Sequence, residues 1–409
     1  MKKILVLSTL ATAAVACCAQ STVTIYGILD GGVTRVSGLR GGAIKQLSSG
    51  IMEGSRLGVR GTEDLGGGYR ALFTLESRLE LDTGGVNNRP PSGSQLPDRV
   101  TQAALLGLPA ALQPVLNAVS GSIGNSVGVN LGGTFWDRQI YVGLVTPVGA
   151  VLAGRQYTPA YEMVYSFDTL GTDSSLSAGQ VGALPSAVDI RVSNAVAYRI
   201  QQGPFSASAM VAAGEGSTTG RLQGAMGLYK GEAFSFGVGY NTRKNERAAK
   251  SLSSLLVGAS AKLGPGTLFA LFGTIKDDNP TGLSGIAATV TPSVGAATAA
   301  AIQNAYINGF KQDGRLFHIG YKYVTGPNTI RIAYSALDDK RPNNADTTSF
   351  GVAYSYALSK RTDLNAVVTR FDNRGLGQLA PGGGGYLGGV TASAGTDSTS
   401  IALGIRHRF

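Results

Sequence analysis

The chain has 409 residues, including 59 Gly, two Cys and two His, and a formal net charge of +10 at pH 7. Glycine is about twice as frequent as its ~7% average in proteins, whereas residues that usually bind metals are scarce, and we expect no cofactor. The two histidines, His318 and His407, belong to no recognisable Ser/His/acid motif, which argues against a hydrolase. Basic residues are spread singly along the chain without interleaved aromatic residues, which argues against nucleic-acid binding.

The N-terminal segment predicts export from the cytoplasm. Lys2 and Lys3 precede an apolar run, residues 4–16, that is shorter than the ~20 residues needed for a membrane-spanning helix. We therefore expect residues 1–19 to be a signal peptide cleaved after Ala19, and residues 20–409 to form one domain. A lipoprotein signal with Cys17 as the lipidated residue is the alternative. Because both cysteines lie in this segment, the mature chain would have no thiol for a disulfide or a metal.

The remainder predicts an all-β fold, a transmembrane barrel of sixteen antiparallel strands. Seven connections are tight turns and eight are longer, as in bacterial barrels with short periplasmic turns and long extracellular loops. Two uncharged stretches, 100–136 and 280–310, are interrupted by proline and are interpreted as loops with short helical pieces. The predicted strands cover residues 23–36, 55–63, 69–82, 136–147, 150–157, 190–201, 204–214, 222–230, 233–243, 253–263, 267–277, 314–325, 329–338, 346–359, 363–373 and 397–409.

The free-energy cost of a charge in lipid predicts which face of each strand points into the lumen. An Arg or Lys on the lipid face at mid-bilayer costs about 2–4 kcal/mol, so the charged face must line the lumen. A barrel of sixteen strands is too wide for side chains to fill, and its lumen holds water. The charged residues that we assign to the inner face are Asp30, Arg56, Arg60, Arg70, Glu76, Arg78, Arg191 and Lys322.

The last predicted strand shows the alternation most clearly. Ile401, Leu403, Ile405, His407 and Phe409 share one face, and smaller or charged residues take the other. A strand of this kind that ends on an aromatic residue is typical of the closing strand of an outer-membrane barrel. We interpret Phe409 as a signal for barrel assembly.

Five short motifs give the chain a specific resemblance. They are VTIYG at 23–27, SRLGVRGTEDLG at 55–66, DRQIYVGL at 137–144, GRQYTP at 154–159 and GIRHRF at 404–409. With these motifs the chain resembles the general diffusion porins of Gram-negative bacteria, in the branch common in β-proteobacteria. The resemblance implies a homotrimer in the outer membrane, in contact with lipid and lipopolysaccharide, that lets small hydrophilic solutes and ions diffuse passively.

The resemblance also implies a pore constriction. A loop at about 158–189 would fold into the barrel, and Arg56, Arg138 and Arg191 would form a basic cluster on the wall, helped by Arg60 and Arg155. Asp168 would supply the opposing acid on the loop. A second loop acid does not align cleanly, since Thr172 occupies its place and Asp173 follows, and Glu162 and Asp173 are the other acidic candidates. Because basic candidates outnumber acidic ones, we expect a weak preference for anions.

Two other functions fit the same fold. A substrate-specific channel would carry an ordered site such as a series of aromatic residues along the lumen, and the inward residues contain few aromatics beyond Tyr26. A barrel adhesin or enzyme would act through the long loops at 83–135 and 278–313. The apolar stretch 100–134 predicts a segment that packs within the trimer as a latch, or a short helix over the barrel mouth.

Overall fold

A computed structural model describes residues 21–88, 96–125, 132–170, 190–216, 220–342, 344–381 and 389–409. The expected signal peptide, 1–19, and Asp173 lie outside these ranges. Of the expected constriction loop, the structure describes residues 158–170. The described strands are β1 Thr22–Leu39, β2 Gly42–Ser49, β3 Arg56–Gly66, β4 Tyr69–Arg78, β5 Gln139–Thr146, β6 Gly149–Tyr157, β7 Arg191–Gln202, β8 Phe205–Ala212, β9 Leu222–Lys230, β10 Phe234–Lys244, β11 Lys250–Leu263, β12 Gly266–Asp277, β13 Gln312–Thr325, β14 Asn328–Asp339, β15 Thr347–Ala357, β16 Thr362–Asn373, β17 Leu379–Ala380, β18 Gly389–Val390 and β19 Ser398–Arg408.

The strands form a closed antiparallel barrel with sixteen positions. Consecutive strands from β3 to β16 pair with each other, β16 pairs with β19, and β19 pairs with β1 to close the ring. The strands β2 and β3 share one position, because β1 pairs with β3 through Thr22–Ile28 and with β2 through Gly31–Leu39. The short strands β17 and β18 form a separate ladder. The predicted number of strands and all seven tight turns are confirmed.

The predicted strand boundaries were wrong at two places near the N-terminus. The stretch 37–54 was expected to be a loop, but β1 continues to Leu39 and turns back into β2, with Gly38 in the left-handed region at φ +77°. The strand expected at 69–82 ends at Arg78, where the backbone N–H of Arg78 donates to the Asp137 carboxylate at 2.8 Å. The next residue, Leu79, donates to the carbonyl of Ser55, so the chain leaves the ladder there.

The outer face is apolar and the inner face is polar, as predicted. On β10, Phe234, Phe236 and Val238 are exposed on the outside, while Gly237 and Asn241 point inward. No helix in the described part of the chain is long and apolar enough to cross a membrane.

A helical cap covers the end of the barrel that carries the long loops. It consists of α1 Gln113–Asn125, α3 Ile286–Val294 and α4 Ala296–Phe310, with two short 3₁₀ helices, Asp98–Val100 and Ala110–Leu112. Their buried side chains form one apolar core that joins the two longest loops. The Tyr306 hydroxyl donates to the carbonyl of Leu116 at 3.2 Å, and burial raises the pKa of Tyr306 to about 12.

The cap buries apolar side chains of the described part of the stretch 100–134. We predicted either a latch within the trimer or a short helix over the barrel mouth. The described part of this stretch includes the helix α1. Its buried residues Val100, Leu116 and Val119 pack with α3 and α4 of the same chain. The cap is tied to the barrel by an ion pair of 2.6 Å between Arg40 and Asp98.

Deleting Phe409 should reduce the amount of folded barrel in the outer membrane to a small fraction, while secretion across the inner membrane continues. The backbone N–H groups of Phe409 and Gly27 each donate to the other residue's carbonyl at 3.1 Å, so the deletion removes two hydrogen bonds at the seam between β19 and β1. Heat-modifiable protein in outer-membrane fractions measures the effect, with Phe409→Tyr as the control that keeps the ring. Unchanged outer-membrane levels after the deletion would contradict this role.

Candidate functional site

A helix inside the barrel, α2 Pro159–Phe167, narrows the lumen on one side. The sequence favours a helix here because Thr158 caps it, accepting a hydrogen bond from the N–H of Tyr161, and Pro159 takes the first helical position. The buried face of α2, with Ala160, Met163 and Phe167, packs against the inner wall from β8 to β12. The helix therefore occupies the part of the lumen along β8 to β12.

Inward-facing glycines make room for α2 and the residues after it. A Cβ atom built at Gly258 would lie 2.1 Å from the Phe167 ring, and one at Gly239 would lie 2.6 Å from Met163. At Gly320 on β13, a Cβ would lie 1.8 Å from the Thr169 hydroxyl. Larger residues at these positions would push the helix away from the wall.

A second segment, residues 50–55 between β2 and β3, also folds into the lumen. The Asp30 carboxylate holds it, accepting the backbone N–H groups of Ile51, Met52 and Glu53 at 3.1, 2.9 and 2.7 Å. Ile51 and Met52 then pack on the inner wall of β15, β16 and β19 together with Leu170, which follows α2. Asp30, which we expected to line the lumen, points inward but is fully buried, and it acts as an anchor.

The wall next to the start of α2 brings three of the predicted arginines close to the Tyr157 hydroxyl group. Arg138 and Arg191 each donate to the Tyr157 hydroxyl, at 3.0 and 2.9 Å. Arg56 lies within electrostatic range of Tyr157 and of Glu76, and its Nε donates to the carbonyl of Gly54 at 2.9 Å. The predicted cluster of Arg56, Arg138 and Arg191 thus exists in the structure.

The arginines of this wall differ in their contact with the lumen. Arg138 is fully buried, and its Nε donates to Glu76 at 2.7 Å, so its charge is compensated within the wall. Arg56 and Arg191 are partly exposed. Arg60 is exposed, and its guanidinium carbon lies 5.1 Å from the centre of the Tyr26 ring.

Two further predicted residues are anchored at the upper end of the same wall. Arg155 donates to the carbonyl of Asp137 at 2.7 Å and to the Ser193 hydroxyl at 3.0 Å. Arg78 is almost fully buried between Asp137 and Glu80, at 3.3 and 3.4 Å. Arg78 therefore does not line the open lumen, as we had expected, and instead joins the start of a long loop to β5.

The acidic candidates are placed differently from the expectation. The side chain of Asp168 is completely enclosed between α2 and β13, with its Oδ1 3.7 Å from Nε2 of His318, so it does not face the arginines across open space. Glu162 lies on α2 and forms an ion pair of 2.5 Å with Arg199 on β7. Neither carboxylate stands unpaired in the opening.

Glu53, which the sequence analysis missed, is the carboxylate that connects the arginines of β19 with Arg56 at the start of β3. Its Oε2 accepts from Arg406 and Arg408 of β19, both at 2.8 Å, and its Oε1 lies 4.0 Å from Arg56. Asp363 on β16 also binds both β19 arginines, with Nη2 of Arg406 at 3.0 Å. The alternation of β19 had placed Arg406 and Arg408 on the inner face, but Glu53 lies in a segment whose inward fold depends on Asp30.

This second group of charges extends the basic surface around the lumen. Lys322 on β13, a predicted inward residue, lies within electrostatic range of Arg331 and Arg406. Arg331 donates to the Ser355 hydroxyl at 3.1 Å. Below the constriction, towards the tight turns, a cavity of about 790 Å³ is lined by Arg56, Arg70, Tyr157, Tyr161, Glu162, Tyr165, Arg199 and Lys230, among others.

The partly exposed arginines form a positively charged surface beside the lumen. Several guanidinium groups can share such a space because two like charges 4 Å apart repel by only about 1 kcal/mol in water. Ions and dipolar solutes orient in the field of such a wall. Within the described residues, no group of His, Cys, Asp and Glu side chains is arranged to hold a metal ion.

Comparison with known proteins supports the same interpretation. Residues 6–376 match the Gram-negative porin family. Over the full length of both chains, the sequence is 27% identical to outer membrane porin protein 32 of Delftia acidovorans and 25% identical to an outer membrane porin protein of Bordetella pertussis.

Solved structures show the same fold. The anion-selective porin from Comamonas acidovorans superposes with a TM-score of 0.68 at 23% identity, covering 95% of this chain and 100% of that one. The trimer form of OmpT from Vibrio cholerae gives a TM-score of 0.58 at 13% identity, covering 95% and 99%. The chain therefore belongs to the Gram-negative porin family: it is a passive diffusion channel of the outer membrane and not an enzyme.

Proposed function

We propose that this porin passes small hydrophilic solutes with a preference for anions. The observation that carries the proposal is the imbalance of charge around the lumen. Arg56, Arg60 and Arg191 are at least partly exposed on one wall, while the carboxylates of Glu53 and Glu162 are both held in ion pairs with arginines. The Comamonas acidovorans porin of the same fold is described as anion-selective, which supports the proposal.

The range of this electrostatic effect suits a narrow pore. At 0.1 M salt the Debye length is about 10 Å, so the charges on the wall act over distances comparable to the radius expected for such a pore. Arg138 contributes less than its neighbours, because it is buried and paired with Glu76. We assign the constriction to Arg56 and Arg191 on the wall and to Glu53 on the inward segment 50–55.

We also propose that the chain forms a homotrimer through one side of the barrel. The outer face from β19 through β6 is largely aliphatic, whereas the outer face from β8 to β15 carries the aromatic residues typical of a lipid interface. The exposed aromatic residues on the second side include Phe205, Phe234, Phe236, Tyr240, Phe272, Phe317, Tyr334, Phe350, Tyr354 and Tyr356. We assign this side to outer-membrane lipid and lipopolysaccharide, and the aliphatic side to the neighbouring subunits. The outer membrane protein OmpT of Vibrio cholerae, which has a similar fold, is described in a trimer form.

The proposal also assigns a role in export to the N-terminal segment. We infer that residues 1–19 direct export and are removed after Ala19, because the short apolar run that follows Lys2 and Lys3 has the pattern of a signal peptide. N-terminal sequencing of the outer-membrane protein tests this inference directly.

Replacing Arg56 and Arg191 with Gln should shift the reversal potential in a salt gradient towards cation selectivity, because two charges facing the lumen are lost. Arg138→Gln should shift it less and should instead destabilise the barrel by about 3–5 kcal/mol, since it leaves Glu76 without its buried partner. Arg370→Gln is the matched control, because Arg370 is about half exposed and pairs with Asp372 away from the lumen. Equal shifts in the control and the double variant would contradict the assignment.

Removing the negative charge of Glu53 should have the opposite effect. Glu53→Gln is expected to shift the reversal potential towards anions, because it removes one of the two carboxylates that compensate the positive charge of Arg406 and Arg408. Asp168→Asn should leave the reversal potential unchanged, since that carboxylate is enclosed. A larger effect of Asp168→Asn than of Glu53→Gln would restore Asp168 as the acid of the constriction.

Asp30→Ala should increase the single-channel conductance. Three backbone N–H groups, two of them buried, would lose their acceptor, at about 1–3 kcal/mol for each buried group, and the segment 50–55 would leave the lumen. Asp64→Ala serves as the control, since Asp64 accepts one exposed N–H in a turn between β3 and β4. If the variant folds and its conductance matches that of the control, the segment does not narrow the pore.

A Trp on the aliphatic side should weaken the trimer. Val142→Trp on β5 is expected to lower the temperature at which the detergent-solubilised oligomer dissociates, because the larger ring cannot fit between packed subunits. Val352→Trp on β15 should leave it unchanged, because Trp is well tolerated at a lipid-facing surface. The reverse order of dissociation temperatures, measured by heating before electrophoresis, would place the interface on the aromatic side.

A further inference from the structure

The structure places more aromatic side chains in the lumen than the sequence suggested. Tyr157 ends β6, and Tyr161 and Tyr165 follow on α2, one helical turn apart on the same face. The rings of Tyr157 and Tyr161 are stacked, with centroids 5.2 Å apart and planes inclined by 14°. We call Tyr157, Tyr161 and Tyr165 the tyrosine series.

The tyrosine series begins at the basic constriction and extends into open space. The guanidinium carbon of Arg191 lies 4.6 Å from the centre of the Tyr157 ring, so a cation covers the first ring. At the other end, Tyr165 is 64% exposed, which is unusual for an aromatic residue on a helix packed inside a barrel. All three tyrosines line the cavity of about 790 Å³ below the constriction.

The same cavity carries positive charge at the level of the rings. Arg56, Arg70, Arg199 and Lys230 contribute to its lining. The one acidic residue among its lining residues, Glu162, is paired with Arg199 at 2.5 Å, so it offers little repulsion to an anion. A solute in this cavity therefore meets the exposed ring of Tyr165 together with guanidinium groups.

We propose that the tyrosine series and the adjacent arginines form a weak binding site for aromatic carboxylates, which cross the pore more readily than aliphatic anions of equal size. A carboxylate binds guanidinium groups, while its ring stacks on an exposed tyrosine. A channel gains from such a site only if binding is weak enough for release, and one exposed ring, Tyr165, satisfies this condition. This inference rests on the proposed anion preference and names the class of anion.

The test compares two acids of equal charge and similar size. With purified protein in a planar bilayer, benzoate should reduce the chloride current at a concentration about fivefold lower than cyclohexanecarboxylate, because only benzoate has a ring that stacks. Tyr165→Leu should abolish the difference, and Tyr165→Phe should keep it. Tyr334→Leu is the control, because Tyr334 lies on the outer face of β14.

The results that would overturn the aromatic site differ from those that would overturn the proposed anion preference. Equal inhibition by the two acids in the unmodified pore, or a difference that persists in Tyr165→Leu, would overturn the aromatic site. Inhibition by a neutral sugar such as maltose but not by benzoate would also overturn it. The reversal potential of the unmodified pore in potassium chloride measures the anion preference on its own. A cation-selective unmodified pore would refute the proposed function instead.

Discussion

The closed ring of backbone hydrogen bonds is the constraint on which the rest of this structure depends. In lipid each backbone N–H and C=O group must find a partner within the protein, and a barrel provides one only if its last strand returns to its first. The ladder between β1 and β19 supplies that closure. Because side chains alternate along each strand, the same ring separates two solvents, lipid outside and water inside. The free-energy cost of a charged side chain is then low on the inner face and high on the outer face.

This separation explains why much of the fold could be predicted from the sequence. Strands with apolar outer residues and small or polar inner residues, such as β10 and β15, alternate clearly and were recognised with the correct faces. Three strands, β6, β9 and β12, alternated poorly, and the inner faces of β9 and β12 carry Leu228, Leu271 and Ile275 beneath α2. There the inside of the barrel is a packed protein core, and period two disappears from the hydrophobic pattern. Apolar inner residues beneath α2 thus account for the weak signal in β9 and β12.

The charged residues of the site were harder to predict than the strands that carry them. The alternation correctly placed Arg56, Arg60 and Arg191 on the inner face, but it could not show which inward charges reach water. Asp30 and Asp168 are inward and enclosed, and their surroundings come from segments distant in the sequence. Glu53 was missed because its position depends on hydrogen bonds between the Asp30 carboxylate and the backbone, which leave no side-chain pattern. An inward-pointing side chain thus need not be exposed to the water in the lumen. The alternation along a strand predicts the inward direction and not the exposure.

The glycines beneath α2 give this pore a way to evolve that does not involve its lining. Phe167, Met163 and Thr169 rest on Gly258, Gly239 and Gly320 with no space for even one methyl group. An alanine at any of these positions would lift the helix from the wall and reduce the free cross-section, while each charged residue at the opening stays the same. Selection for slower entry of a toxic compound could therefore act on residues that never touch the compound. Surveillance of such adaptation in bacterial isolates should include these covered glycines as well as the arginines of the channel.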